Sequence, residues 1–474
     1  MSDPSPTRPE SEPERPARPD RRLFRGGLAL LVIALVYYVF NAEVSSVTEL
    51  YEGLAMILLA ALPALIWARH ATHEFPVFEV FMLTGVNIYA LPLLNGQNEL
   101  RAYSESVVIQ AGAAVLFFQT MAIFVHTVTR GRPGTTPFWT EEVVSRDIGK
   151  FLGYGLMLTT IYTGIANFSD IISNDLEAPL RAVFYGLGII STFVQGRRWG
   201  QGDLNYQEKI FYVVNITLQV VFTFATLYLI AGISLIVLAM LGYVSGSKRR
   251  PIIAGLIILP IIALLHNGKT TMREKYWGNK EITMPSLSEL PAFFTEWIQD
   301  GLDLHQKSSL TEKLIERTSL FQMICLVVDN SPDRLPYLDG ETYGQIPGQF
   351  VPRFFWAEKP VAHISTYTLS IYYGLQRPED TKTTTIAFGL LAEAYANFGF
   401  YGVGTLAAVF AFCFKKYGCW AQQSPILSYA GLLLVLLMAW SFQTELTLSI
   451  WLSSLFQAAV AVLGVPFVLR NFLG

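Results

Sequence analysis

IFYVVNITLQVVFTFATLYLIAGISLIVLAMLGYVSG, residues 210–246, decides how this chain is threaded. The 37 residues contain no charge. One continuous helix would be about 55 Å long at 1.5 Å per residue. That is far beyond a hydrocarbon core of roughly 30 Å. Two helices joined by a tight turn near Leu229–Gly232 fit better. Gly232 is the expected break, because glycine tolerates turn conformations.

Working outward, apolar stretches recur along the 474 residues, which are 52% hydrophobic and only 15% charged. Mean hydropathy is +0.39. Soluble domains average near 25% charged residues. The fold class expected is therefore an all-α polytopic integral membrane protein. A transmembrane β-barrel would show segments of about ten alternating residues instead. About twelve spans are expected, at 24–41, 50–68, 75–94, 106–128, 148–168, 179–195, 210–228, 229–246, 251–267, 394–414, 425–443 and 446–469. The chain then divides into a disordered tail (1–22), nine spans (23–267), a large polar loop (268–385) and three final spans (386–474). The tail is rich in Pro, Glu, Arg and Ser and lacks the apolar residues to order itself.

Loop charge sets the orientation. With both termini cytoplasmic, one side collects Arg21, Arg22, Arg25, Arg69, Arg130, Arg132, Arg197, Arg198, Lys248, Arg249, Arg250, Lys415, Lys416 and Arg470. The opposite short loops, 41–49, 95–105 and 169–179, hold a single arginine, Arg101. This is the positive-inside pattern. Reading 210–246 as one span would reverse Lys415, Lys416 and Arg470. The large loop is therefore expected on the periplasmic face of a bacterial inner membrane.

Net charge is −3, so no global field invites nucleic acid. Cys325, Cys413 and Cys419 show no metal or disulfide pattern and read as small buried hydrophobes. Glu79 lies near the inner end of a span, where snorkelling to the interface is expected.

The large loop carries the chemistry-bearing residues. NGKTTMREKYWGNKE (267–281) brings Lys269, Arg273 and Lys275 out of the membrane. SLSELPAFFTEWIQDGLDL (286–304) predicts a short amphipathic helix. A second helix is predicted over 310–329, opened by a Ser309-x-x-Glu312 capping box. Its stripe of Leu310, Leu314, Phe321, Ile324, Cys325 and Val328 faces one way, with Arg317 at the edge. Residues 330–360 are punctuated by Pro and Gly and read as a loop. Loops that long are usually functional. Arg353 and Lys359 flank Trp356 in VPRFFWAEKP (351–360). An arginine fork suits phosphate oxygens, and a lysine supplies a point charge. Aromatic rings there favour the bilayer interface and can stack on sugars. His363 is a candidate base. In FGLLAEAYANFGFYG (388–402), Thr385 just upstream is the expected cap, and Glu393 and Asn397 share a helix face at i and i+4. Glu393 is expected about one turn above the membrane, facing the loop.

Three stretches together resemble the Wzy-type O-antigen polymerases, also called oligosaccharide repeat unit polymerases. They are ERTSLFQMICLVVDNSP (316–332), GETYGQIPGQFVPRFFWAEKP (340–360) and GLLAEAYANFGFYG (389–402). The resemblance covers about 80 residues; the spans agree in pattern alone. It implies a GT-C-like architecture and a glycosyltransferase of surface-polysaccharide (lipopolysaccharide) biosynthesis. A growing glycan on undecaprenyl pyrophosphate would pass to a new lipid-linked repeat unit. Arg273, Arg317 and Arg353, assisted by Lys359, would hold the pyrophosphate in place of a metal, with no cofactor. Preorganised cations stabilise such a leaving group. Glu393 would orient an arginine or act as base, with His363 as rival. Trp356, Tyr395 and Asn397 would contact the lipid-linked oligosaccharide. A flippase and a chain-length regulator would be partners. The alternatives are an O-antigen ligase-type transferase and a transporter or flippase of lipid-linked glycan. A polyprenyl-monophosphate sugar transferase would need an acidic pair in the first outer loop, and NAEVSSVTE (41–49) offers no clear one.

Overall fold

The computed structural model describes residues 21–473 apart from 71–74, 170, 173, 248–251, 279–284, 303–319, 352–354, 357 and 383–384. The regular secondary structure of the described residues is all helical, with no strand and one isolated bridge, Glu142 to Ser428. The helices are α1 (Arg21–Asn41), α2 (Val47–His70), α3 (Val77–Leu94, with a π-helical turn at Val86–Ala90), α4 (Glu105–Val128), α5 (Arg146–Phe168), α6 (Asn174–Gln201), α7 (Tyr206–Ala225), α8 (Leu229–Gly246) and α9 (Ile252–Gly278). They continue as α10 (Leu290–Leu302), α11 (Phe321–Asn330), α12 (Ile364–Tyr372), α13 (Leu390–Ala421), α14 (Tyr429–Trp440) and α15 (Leu448–Leu473). Seven of these, α1, α2, α3, α4, α7, α13 and α15, are long and apolar enough to cross a membrane. Helices α5, α6, α8, α9 and α14 lie over the other apolar segments; α14 has only 12 residues.

The 210–246 run is two helices. Asn205 and Glu208 form a capping box that opens α7. The chain turns at Thr226–Tyr228, with Leu227 in the left-handed region at φ 60°. The break thus falls just before the stretch expected to hold it. Gly232 is not the hinge. It lies inside α8, where an added Cβ would sit 2.4 Å from the Phe224 ring. Its small size lets α8 close on α7.

Helices α6 and α8 pack closely through glycines on both sides. A Cβ on Gly242 would lie 2.4 Å from the Phe193 carbonyl oxygen, and one on Gly246 2.2 Å from that of Arg197. Reciprocally, a Cβ on Gly200 would lie 2.3 Å from the Tyr243 carbonyl oxygen. Small residues spaced by four are the usual contact where apolar helices meet without a hydrophobic drive.

Two hydrophobic cores result. The larger draws on α1–α6, α8 and α11–α15. The smaller joins Phe224, Leu227 and Leu229 to Leu265, Met272, Phe293 and Trp297. There α10 folds back on α9, and the Trp297 indole donates to the Leu265 carbonyl at 2.7 Å.

The large loop follows its predicted pattern in part. Helix α10 lies within the predicted 286–304 stretch and buries Leu290, Phe293 and Trp297. Helix α11 buries Phe321, Ile324, Cys325 and Val328. Ser309, Leu310, Glu312, Leu314 and Arg317 lie outside the described residues. The loop 330–360 contains two single-turn helices, Glu341–Gly344 and Ile346–Phe350. Helix α12 was not expected. Its buried face is Ser365, Thr366, Leu369 and Ser370, hydroxyls that hide the apolar period.

Three further expectations are corrected. Thr385 caps nothing; α13 begins at Leu390 behind Gly389 at φ 79°. Glu79 is 4% exposed, so packing holds it inside rather than letting it snorkel. Of the cysteines, Cys325 is buried, but Cys413 is exposed on α13.

Candidate functional site

The first two turns of α13 form the floor of the site. Gly389 N–H donates to the Glu445 carbonyl at 3.0 Å, and Leu390 N–H to that of Thr444 at 3.2 Å. The helix then breaks at Phe398 and Gly399, which has φ 57° and ψ −140°. A Cβ at Gly399 would also meet the Tyr337 hydroxyl at 2.6 Å, so glycine is required twice over. A break frees carbonyls from their usual partners. The loop above supplies replacements: Leu338 N–H bonds the Ala396 carbonyl at 3.0 Å, and Asp339 N–H that of Asn397 at 3.2 Å.

Glu393, Asn397 and Tyr395 are brought together here, and all three are buried. Asn397 Nδ2 donates to Thr342 Oγ1 at 2.9 Å and to the Glu393 carbonyl at 2.8 Å. Its Oδ1 accepts from Gly340 N–H at 3.1 Å. Glu393 does not face the loop solvent; it is completely buried. Its Oε2 accepts from Leu448 N–H at 2.6 Å, placing a carboxylate at the start of α15. Negative charge is favourable at a helix N-terminus. The Tyr395 hydroxyl accepts from Gln110 at 3.1 Å and its ring meets Tyr337 edge-on at 6.3 Å.

The other predicted residues are placed as follows. Arg273 belongs to the smaller core. Its guanidinium donates to the Leu227 carbonyl at 2.8 Å and lies 5.4 Å over the Tyr228 ring, bracing the α7–α8 turn. No described contact joins it to the Glu393 group. Lys359 Nζ donates to the carbonyls of Val351 at 2.7 Å and Gln349 at 3.2 Å, at the end of the Ile346–Phe350 turn. Trp356 is half-exposed, its ring over Gly348. His363 is exposed at the start of α12, stacked on Tyr367 at 6.1 Å. Surrounding chain lowers its pKa below the ordinary imidazole value by desolvation. Arg317 and Arg353 lie outside the described residues. Leu320, three residues after Arg317, packs on Gly389.

A groove of about 1840 Å³ runs along α13 from this floor to the other end of the helix. From Phe398 to Trp420 it covers about 33 Å at 1.5 Å per residue. Its walls include Leu406, Val409, Phe410, Trp451 and Leu455. Tyr337, Asp339 and Tyr343 stand at the mouth beside the large loop; Arg130, Arg132 and Lys416 stand at the far mouth.

Sequence reasoning missed Asp339, Tyr337 and Tyr343. Asp339 is exposed and adopts φ 47°, followed by Gly340 at φ 91°. Aspartate is among the residues that tolerate this region, and such strain clusters at functional sites. The Asp-Gly pair was the available signal. Burial, and then the charge of Glu393, raise the Tyr343 pKa, so its phenol stays a proton donor. Glu49, at the start of α2, is buried too, but Ser45 N–H donates to it at 2.9 Å and its own N–H donates to Ser46 Oγ, an N-terminal cap.

Fold and site together define, among the described residues, an all-α arrangement with membrane-length helices and an apolar groove with one mouth beside a polar loop. Residues 205–423 match a family model described as a domain of unknown function (DUF8712). The match begins at the cap of α7 and ends just past α13, so it contains the large loop and the helix that floors the groove. No curated protein and no solved structure matches the chain.

Proposed function

We infer that this chain polymerises undecaprenyl-pyrophosphate-linked oligosaccharide units on the periplasmic side of a bacterial inner membrane. In this reading the chain makes twelve spans in a GT-C-like arrangement, with 268–385 outside and both termini inside. One observation carries the reading: an apolar groove of bilayer length opens beneath a polar loop at one end. A long polyprenyl tail fits such a trough, and its diphosphate would emerge beside Tyr337, Asp339 and Tyr343.

The chemistry is a single displacement. An acceptor hydroxyl oxygen bonds the anomeric carbon of the donor glycan. The bond from that carbon to the diphosphate oxygen breaks, and undecaprenyl pyrophosphate leaves with the electron pair. The hydroxyl proton passes to a carboxylate. Asp339 is the carboxylate presented to the groove; Glu393, tied to Leu448, positions the floor. Tyr343 donates a hydrogen bond at the mouth. Arg317 and Arg353 hold the diphosphate. Preorganised donors of this kind are each worth on the order of 10²–10³ in rate.

The test is the glycan ladder of a strain that depends on this chain. Arg353→Ala and Asp339→Asn should leave single repeat units attached to the acceptor, with membrane levels of the protein unchanged. Long polymer from both variants would refute the assignment. Loss of even single units would point to the ligase-type reaction.

A further inference from the structure

We propose that the far mouth of the groove is a binding site for an acidic phospholipid. Its phosphate sits among Arg130, Arg132 and Lys416, and its acyl chains enter the trough. This does not depend on the polymerase reading, which places its diphosphate at the opposite mouth; the two lipids would share the trough between them.

Charge complementarity carries the argument. The three cations come from two elements, the segment after α4 and the end of α13, and converge on one opening. None has an ion-pair partner among the described residues. Among the described residues lining the groove, Asp339 is the only acid, and it stands at the other end. Lys416 lies 5.4 Å over the Phe412 ring, a contact that leaves its ammonium protons available. Arginine forks match phosphate oxygens.

The cradle is also built in advance. Gly134 N–H donates to the Trp420 carbonyl at 2.9 Å. A Cβ on Gly131 would sit 2.2 Å from Cys419 Cβ, and one on Gly134 2.5 Å from the Trp420 indole nitrogen. The segment bearing both arginines is therefore clamped to α13. Trp420 and Tyr417 line the same mouth, as aromatic rings do at membrane interfaces.

The trough selects a lipid over free phosphate. Cys413 and Val409 follow Lys416 along α13, one and two turns further in, and both are exposed to the groove. A soluble anion would leave that surface bare. At about 33 Å the groove spans two leaflets' depth, so a phospholipid entering here fills the half nearer the cations.

Lipid retention by the purified full-length protein tests this. Nanodiscs of mixed phosphatidylglycerol and phosphatidylcholine are dissolved, the protein is recovered, and its bound lipid is measured by mass spectrometry. Phosphatidylglycerol should be enriched about tenfold; each of Arg130→Gln, Arg132→Gln and Lys416→Gln should cut that roughly fivefold, the worth of one basic residue near an anionic surface. Val409→Trp, which fills the trough and changes no charge, should abolish enrichment. The double variant Arg130→Lys with Arg132→Lys should retain most of it, which separates lost charge from misfolding. Equal retention of the two lipids by wild type overturns the proposal. So does undiminished enrichment in Val409→Trp, which would mean surface attraction alone, or displacement of the lipid by inorganic phosphate, which would mean a headgroup-only anion site.

Discussion

Asn397 is the residue on which the site's floor depends, since it closes hydrogen bonds to Gly340, Thr342 and the Glu393 carbonyl from a fully buried position. Asn397→Ala strands those partners, and unsatisfied buried polar groups cost about 1–3 kcal/mol each. The expected result is a lowered Tm in detergent together with lost activity. Glu393 separates the two effects. Glu393→Gln keeps an oxygen for Leu448 N–H, whereas Glu393→Ala removes the cap, a loss of about 1 kcal/mol. The glutamine variant should therefore melt near wild type and the alanine variant below it. Equal melting of both would show that the carboxylate does not hold α15. The sequence made the i, i+4 pairing of Glu393 with Asn397 visible. It hid the outcome that Glu393 points into a neighbouring helix terminus, because Leu448 is 55 residues away. Asp339 was hidden for a similar reason: an Asp-Gly turn is legible, but the broken helix that anchors it is a tertiary fact.

Among elements, the α6–α8 pair makes the sharpest prediction. Gly242→Leu would drive a side chain into the Phe193 carbonyl. Overpacking of this kind costs about 1–3 kcal/mol. A lower Tm, rather than altered chemistry, is the expected result, and unchanged melting would mean that the helices part freely. GRRWG (196–200) and GYVSG (242–246) display their spacing openly. What the chain did not display is that these two stretches face each other. Helix α12 is the converse case. Ser365 donates to the Thr342 carbonyl at 3.0 Å, and Thr366 and Thr447 hydroxyls meet at 3.1 Å. Polar satisfaction, rather than apolar burial, packs that helix, so no hydrophobic period announced it. The 210–246 run succeeded because length alone forbids a single span.

At the scale of the whole molecule, sidedness is the sharpest test of the reading. A reporter fused after Trp356 should be active only on the periplasmic side. Cytoplasmic activity there would remove the basis for placing lipid-linked glycan at residues 337–360. Composition made the helical class plain, and the loop charges supply the orientation that this reporter tests. Arg273 could not be assigned that way, because whether it meets a ligand or the Leu227 carbonyl depends on which core its helix joins. Helix α14 has a consequence for the bilayer itself. Twelve residues rise only about 18 Å, well short of roughly 30 Å of hydrocarbon. On the twelve-span reading proposed above, the chain from Ser441 to Thr447, which holds Gly389 and Leu390, would be drawn down to a depth that lipid tails normally occupy. Any headgroup reaching Glu393's neighbourhood must descend with it. The membrane beside α14 should be pinched, and turnover should fall as acyl chains are lengthened in reconstituted vesicles.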